Sequence, residues 1–175
     1  MIDPNSIVEQ CYQKLPNSLK ERPWEVTDHG KKVLETEEQL NAYIAAYGEI
    51  HIVKCRAALQ NLPLQDFVNY DFEIFDWGCG QGLASLVTIE FLQERNLLGR
   101  LRRITLIEPS LKALSRAEFW IKHATRFESN IEIKCVNKFI PLNDFDSWED
   151  VNCKSRVSIN LGNYIPVDSR LSLNE

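Results

Sequence analysis

At 175 residues the chain amounts to one domain, long enough to bury a core of its own. Its 44% hydrophobic and 26% charged content is that of an ordinary globular protein, and a formal net charge of -5 excludes a general electrostatic grip on nucleic acid while leaving room for a local basic patch. Five cysteines (Cys11, Cys55, Cys79, Cys135 and Cys153) are odd in number and scattered, without a C-x-x-C pair or matching histidines, which favours neither a metal site nor a disulfide framework.

Residues 1–20 lack the apolar core of a signal peptide, and no run approaches the length of a membrane span, so a cytoplasmic protein with no membrane partner is expected. Ile7, Val8, Cys11 and Tyr12 recur at helical spacing, Pro4 suits a first turn and Pro16 ends the pattern, giving a helix over residues 4–14. Residues 17–36 are polar and broken by Pro23 and Gly30; they read as a loop anchored by Trp24 and Val26, with room for a hairpin around Asp28-His29-Gly30. His29 beside a glycine reads as a turn residue rather than a base.

A long helix is expected over residues 37–61, with Thr36 as N-cap and Glu37 and Glu38 in its favourable first turn. Leu40, Tyr43, Ile44, Tyr47, Ile50, Val53 and Ala57 form its apolar stripe. Tyr43, Tyr47, His51 and Lys54 crowd a neighbouring face, where plain packing is the leading explanation. Pro63 breaks the helix, and residues 62–70 lead into the first strand.

The chain is organised around residues 72–82, an apolar segment followed by Gly78, Gly80 and Gly82, after which Leu83-Ala84-Ser85-Leu86-Val87 opens a helix over residues 83–95. A chain turning sharply from strand to helix needs positive φ and no Cβ between its backbone and a ligand, and the helix start supplies unpaired N–H groups. In the dinucleotide fingerprint the third glycine comes three residues after the second. Here the glycines are evenly spaced, and Asp76 stands at the strand's end, where its charge repels a phosphate and welcomes a cation or an amine.

This D-x-G-x-G-x-G pattern resembles the first motif of class I S-adenosylmethionine-dependent methyltransferases, and the resemblance runs over residues 72–167. It implies a Rossmann-like α/β fold, a parallel sheet with flanking helices, and S-adenosyl-L-methionine as cofactor. It also implies that Gly78, Cys79, Gly80 and Gly82 pack against the amino-acid part of the cofactor, with Asp76 near its amino group or sulfonium, directly or through water. The second strand, over residues 103–108, ends in Glu108-Pro109-Ser110. A glutamate at that tip can accept hydrogen bonds from both hydroxyls of a ribose, Pro109 stops the strand and Ser110 caps the next helix. The resemblance places an acidic residue there on the cofactor ribose, so Glu108 and Pro109 join the expected site. It also allows the aromatic face of the preceding helix to cover the pocket.

Arg95, Arg100, Arg102 and Arg103 cluster ahead of the second strand, at the end opposite the expected active face, and read as solvated surface. A helix over residues 110–127 follows, with Leu111, Leu114, Ala117, Phe119, Trp120 and Ile121 toward the sheet and Lys112, Arg116 and Lys122 pointing elsewhere. Residues 131–136 alternate as a third strand. Where methyltransferases commonly carry an acid near the adenine amino group, this chain has Asn137, whose side-chain oxygen can still accept a hydrogen bond.

A fourth strand is expected over residues 156–161, leading into Gly162-Asn163-Tyr164-Ile165-Pro166. Some methyltransferases acting on exocyclic amines orient the target nitrogen with an Asn/Asp-Pro-Pro-aromatic motif at this place. The proline pair is missing here, which leaves Asn163 and Tyr164 as weak catalytic candidates beside an ordinary loop role. His51, Asp144 and Asp146 are the available general-base candidates, each with a blander role as helix-face or loop residue.

The organisation expected is a helical N-terminal extension and pocket cover over residues 1–70, the cofactor-binding half of the fold over 71–168 and a polar tail over 169–175. The resemblance implies seven strands, of which four are legible. Truncation or excision from a longer protein is the favoured explanation; the other is a dimer whose partner covers an exposed fourth strand. The expected function is methyl transfer to an unidentified acceptor. A non-catalytic cofactor-binding or partner-binding remnant is the alternative from another class, and a faint resemblance to ribosome-associated members of the family keeps RNA as a further one. A nicotinamide-dependent oxidoreductase is disfavoured by the glycine spacing.

Overall fold

A computed structural model of the chain describes residues 2–139 and 157–162. Its first element, α1 (Pro4–Gln13), is started by Asp3, whose carboxylate accepts the backbone N–H groups of Asn5 at 3.0 Å and Ser6 at 3.2 Å. Residues 17–36 do not form the expected loop with a hairpin. They hold a short helix, α2 (Asn17–Lys20), and a 3-10 segment (Glu25–Gly30) in which Asp28 and His29 both adopt left-handed φ, 48° and 52°. His29 is thus a turn residue, but the anchor is the buried Thr27, its hydroxyl donating to the Trp24 carbonyl at 2.9 Å, while Trp24 is exposed.

Thr36 and Gln39 form a reciprocal capping box at the head of α3 (Glu37–Leu59), each side chain bonding the other's backbone N–H at 3.1 Å. The buried face of α3 differs from the expected stripe: Ile50 and Val53 are exposed, whereas Leu40, Asn41, Ala42, Ile44, Gly48, Ile52 and Leu59 are buried. The buried residues follow the side of the helix that carries Gly48, where an added methyl group would stand 2.8 Å from Val8 Cγ2 of α1, and Ile50 and Val53 fall on the opposite side at about 100° per residue. After α4 (Gln65–Val68) the chain enters β1 (Phe72–Trp77), then α5 (Leu83–Glu94), a 3-10 turn (Leu98–Arg100), β2 (Leu101–Ile107), α6 (Leu111–Ala124), β3 (Glu132–Val136) and β4 (Val157–Gly162).

The described strands form one parallel sheet in the order β3-β2-β1-β4. This is the Rossmann-like α/β arrangement: the chain steps outward from β1 to β3, then returns to the other side of β1. The carboxyl ends of β1 and β4 therefore flank a topological switch point, where open α/β sheets bind ligands. Central β1 and β2 are buried, as strands covered on both faces must be, and Phe72, Ile74, Ile104 and Leu106 sit at the core. Edge strand β3 is mostly exposed, with Arg103 Nε on Glu132 at 2.8 Å. Among the described residues β4 is the other edge.

One expectation about α6 is corrected and one about the arginines of β2 is refined. Leu111 and Phe119 are 64% and 66% exposed instead of packing the sheet, because the buried stripe runs through Ala113, Leu114, Ala117 and Ile121. The arginines near β2 lie at its starting end as expected, but they are ion-paired: Arg102 grips Asp71 with two bonds of 2.8 and 3.0 Å, and Arg100 lies 3.9 Å from the same carboxylate.

Candidate functional site

Beyond Trp77 the chain turns through Gly78, Gly80 and Gly82, with φ of +62°, +53° and +76°. Cys79 N–H continues the ladder onto Ile107 O at 3.0 Å, and Gly82 N–H closes a tight turn on Cys79 O at 2.8 Å. The three glycines then divide by environment. A methyl group at Gly78 or Gly80 would meet nothing within 4 Å, whereas one at Gly82 would lie 2.9 Å from Ala117 Cβ and 3.1 Å from Ile121 Cδ1. Gly82 is therefore a packing glycine that lets α6 approach the loop, while Gly78 and Gly80 face open space with bare backbone. Helix α5 opens at Gly82 with no side-chain cap.

Glu108, one residue past β2, closes the other side of this space. Its Oε2 accepts Gly80 N–H at 3.0 Å and its Oε1 accepts Ser110 N–H at 2.9 Å. A carboxylate offers about four lone-pair positions, so each oxygen keeps capacity for another donor. Burial raises the Glu108 pKa above its ordinary value, opposed by the Ser110 and Gly80 N–H groups. Asn137 spans the same tip, its amide donating to Glu108 O at 2.9 Å and Pro109 O at 2.8 Å, which leaves the side-chain oxygen as its acceptor.

Asp76 lies beneath the loop rather than open to it. It is 2% exposed, takes the Ser85 hydroxyl on Oδ2 at 2.6 Å, and burial pushes its pKa up to about 6, against the hydrogen bonds from Ser85. Because Asp76 pairs in register with Leu106, and side chains alternate along a strand, Asp76 and the position of Glu108 fall on the same side of the sheet. The negative charge of Glu108 contributes to the elevation at Asp76. Cys79 is buried with its thiol pushed well above the ordinary range by desolvation, a packing side chain in an inert state.

Sequence reasoning missed the residues that hold the loop. Gln81 is 2% exposed and spans two elements: its Nε2 donates to Leu40 O at 2.8 Å and its Oε1 accepts Arg116 Nη1 at 2.8 Å. Arg116, expected to point elsewhere than the sheet, reaches into the loop network. The same Nη1 donates to Asn41 Oδ1 at 2.9 Å and Nη2 pairs with Glu37. Ser110 Oγ donates to Leu34 O, a second tie between the site and the N-terminal segment.

On α3, Tyr43, Tyr47 and His51 do form a cluster, with ring centroids 5.2 to 6.5 Å apart, and a methyl at Gly30 would touch Tyr43 at 3.4 Å. Burial, then Lys54, lowers the His51 pKa. These contacts tie the cluster to the 3-10 segment. Asn163, Tyr164, Asp144 and Asp146 lie outside the described residues, and among the described residues no group of acidic, histidine or cysteine side chains is arranged to hold a metal. No described helix is long and apolar enough to cross a membrane.

No family model and no curated protein matches the chain. A solved structure described as a SAM-dependent methyltransferase of Leishmania major aligns with 78% of this chain at 16% identity and a TM-score of 0.33, and a likeness of that size fixes neither fold family nor function. The chain spans 42% of that structure's length. Topology and the local geometry of the loop are what define this site: a bare glycine turn and a hydrogen-bonded carboxylate, side by side at the carboxyl end of a Rossmann-like sheet.

Proposed function

We propose that the chain binds S-adenosyl-L-methionine at the carboxyl ends of β1 and β2 and belongs to a methyl-transfer system with an acceptor still to be identified. The observation carrying this reading is the bond from Gly80 N–H to Glu108 Oε2, which places an acceptor-rich carboxylate at the rim of a turn whose first two glycines, Gly78 and Gly80, have open space before them. In this reading Glu108 receives the ribose hydroxyls on its remaining lone pairs, and Asn137 offers its side-chain oxygen to the adenine amino group. Gly78 and Gly80, with Cys79 and Pro109 beside them, let the backbone approach the amino-acid part.

When bound, the cofactor supplies an electrophilic methyl group on a cationic sulfur. Asp76 acts from below: its charge favours a cation over a phosphate, and Ser85 holds it in place. The protein's share of the rate is alignment of acceptor, methyl carbon and departing sulfur. Residues 1–70 serve as pocket cover and residues 71–168 as the cofactor-binding half. The same negative potential disfavours a pyrophosphate, which sets this reading against a nicotinamide dinucleotide.

Calorimetric titration with S-adenosylhomocysteine and with a nicotinamide dinucleotide tests it. Saturable binding of the first and none of the second supports the reading; the reverse overturns it.

A further inference from the structure

We infer that Arg116 is a positioning residue that clamps the N-terminal segment, residues 34–41, onto the glycine loop, so that the loop's ligand-binding shape depends on a contact made outside the pocket. The inference rests on the cofactor reading for its effect on affinity, but its geometry stands alone. Three elements meet at one guanidinium. From α6, Arg116 donates to Gln81 Oε1 in the loop and to Asn41 Oδ1 in α3, and pairs with Glu37 in the first turn of α3. Gln81 closes the circuit by donating to Leu40 O at 2.8 Å.

Gln81 sits between the two glycines with opposite roles. On one side Gly80 gives its N–H to Glu108; on the other Gly82 is pressed against Ala117, the neighbour of Arg116. Fixing the Gln81 side chain therefore fixes the backbone that presents Gly80 to Glu108. The second tie, Ser110 Oγ on Leu34 O, lies two residues from that same carboxylate. The segment is thus held at both ends of the Gly80–Glu108 bond. Gln81 and Asn41 are both buried, so loss of the guanidinium leaves Gln81 Oε1 and Asn41 Oδ1 without their shared donor, and both side chains are then driven to rearrange.

The test compares Arg116→Met with Arg56→Met, which removes an ion pair to Glu90 between α3 and α5 and serves as a reference for general loss of stability. Glu37→Gln, at the exposed end of the network, is the milder companion in case Arg116→Met folds poorly. In the unliganded protein, Arg116→Met is expected to raise amide exchange at residues 36–41 and 80–82 together, at least tenfold, while Arg56→Met leaves both unchanged. S-adenosylhomocysteine affinity is expected to fall about tenfold in Arg116→Met and less in Glu37→Gln, with Arg116→Lys recovering part of the loss.

Exchange that rises in only one of the two segments, or equally in Arg56→Met, overturns the clamp. An absence of nucleoside binding in the parent chain overturns the cofactor reading instead, and the exchange result still decides the clamp.

Discussion

Glu108 takes the backbone N–H of Gly80 on one carboxylate oxygen at 3.0 Å and that of Ser110 on the other at 2.9 Å, so a single side chain links the tip of β2 to the turn after β1. The carboxylate has two functions from one position: it braces the loop, and it presents unused lone pairs to the open space before Gly78 and Gly80.

Glu108→Ala separates those functions by magnitude. Two charge-assisted hydrogen bonds are lost, at about 1.5–3 kcal/mol each before compensation by water. Urea denaturation is expected to show a loss of roughly 2–3 kcal/mol, and calorimetry a loss of nucleoside binding beyond tenfold. A stability loss with unchanged affinity would remove Glu108 from the ligand site.

The three loop glycines give a second contrast. Gly82→Ala combines left-handed strain with a 2.9 Å contact to Ala117 Cβ, and is expected to cost about 2–4 kcal/mol. Gly78→Ala and Gly80→Ala meet only open space, so each is expected to cost about 1–2 kcal/mol for strain alone, yet to weaken nucleoside binding more than Gly82→Ala does at matched stability. Thermal melts and titrations on the three variants check this; equal stability costs across the series would contradict it.

A third expectation concerns pH. Burial holds the Asp76 pKa at about 6, above its ordinary 3.8. The folded chain therefore binds that proton more tightly than the unfolded chain does. The associated stability is fully present below the unfolded value and is lost as pH rises through about 6. At about 1.36 kcal/mol per pH unit the full effect is about 3 kcal/mol. Asp76→Asn keeps an oxygen for the Ser85 hydroxyl, so it is expected to match the parent near pH ~4 and exceed its stability by roughly 2–3 kcal/mol near pH ~7.5. Denaturation curves at the two pH values decide, and an advantage that fails to grow with pH contradicts the buried charge. The cationic cofactor is also expected to bind more tightly above pH ~6, where Asp76 is ionised, with a smaller change for its neutral-sulfur product.

The turn and the strand end that frame this candidate site are legible in the sequence, because the relevant signals are local. Gly78, Gly80 and Gly82 mark a turn by their own conformational freedom, and Glu108-Pro109-Ser110 marks a strand end and helix cap within three residues. The Thr36 cap of α3 was equally plain. What escaped depends on partners distant in sequence. Which side of α3 packs is decided by α1, whose Val8 meets α3 at Gly48 and leaves Ile50 and Val53 on the opposite side, and the role of Arg116 comes from three partners up to 79 residues away. Trp24 is exposed and Thr27 buried in a segment that kinks at two successive left-handed residues, Asp28 and His29, a backbone departure that residue types alone do not announce.

The most direct measurement is calorimetry of the purified chain with S-adenosylmethionine and S-adenosylhomocysteine, repeated on Glu108→Ala. Saturable binding of both nucleosides by the parent, lost in the variant, is the expected result. Flat traces from the folded parent, or affinity indifferent to Glu108, would contradict the assignment of this site.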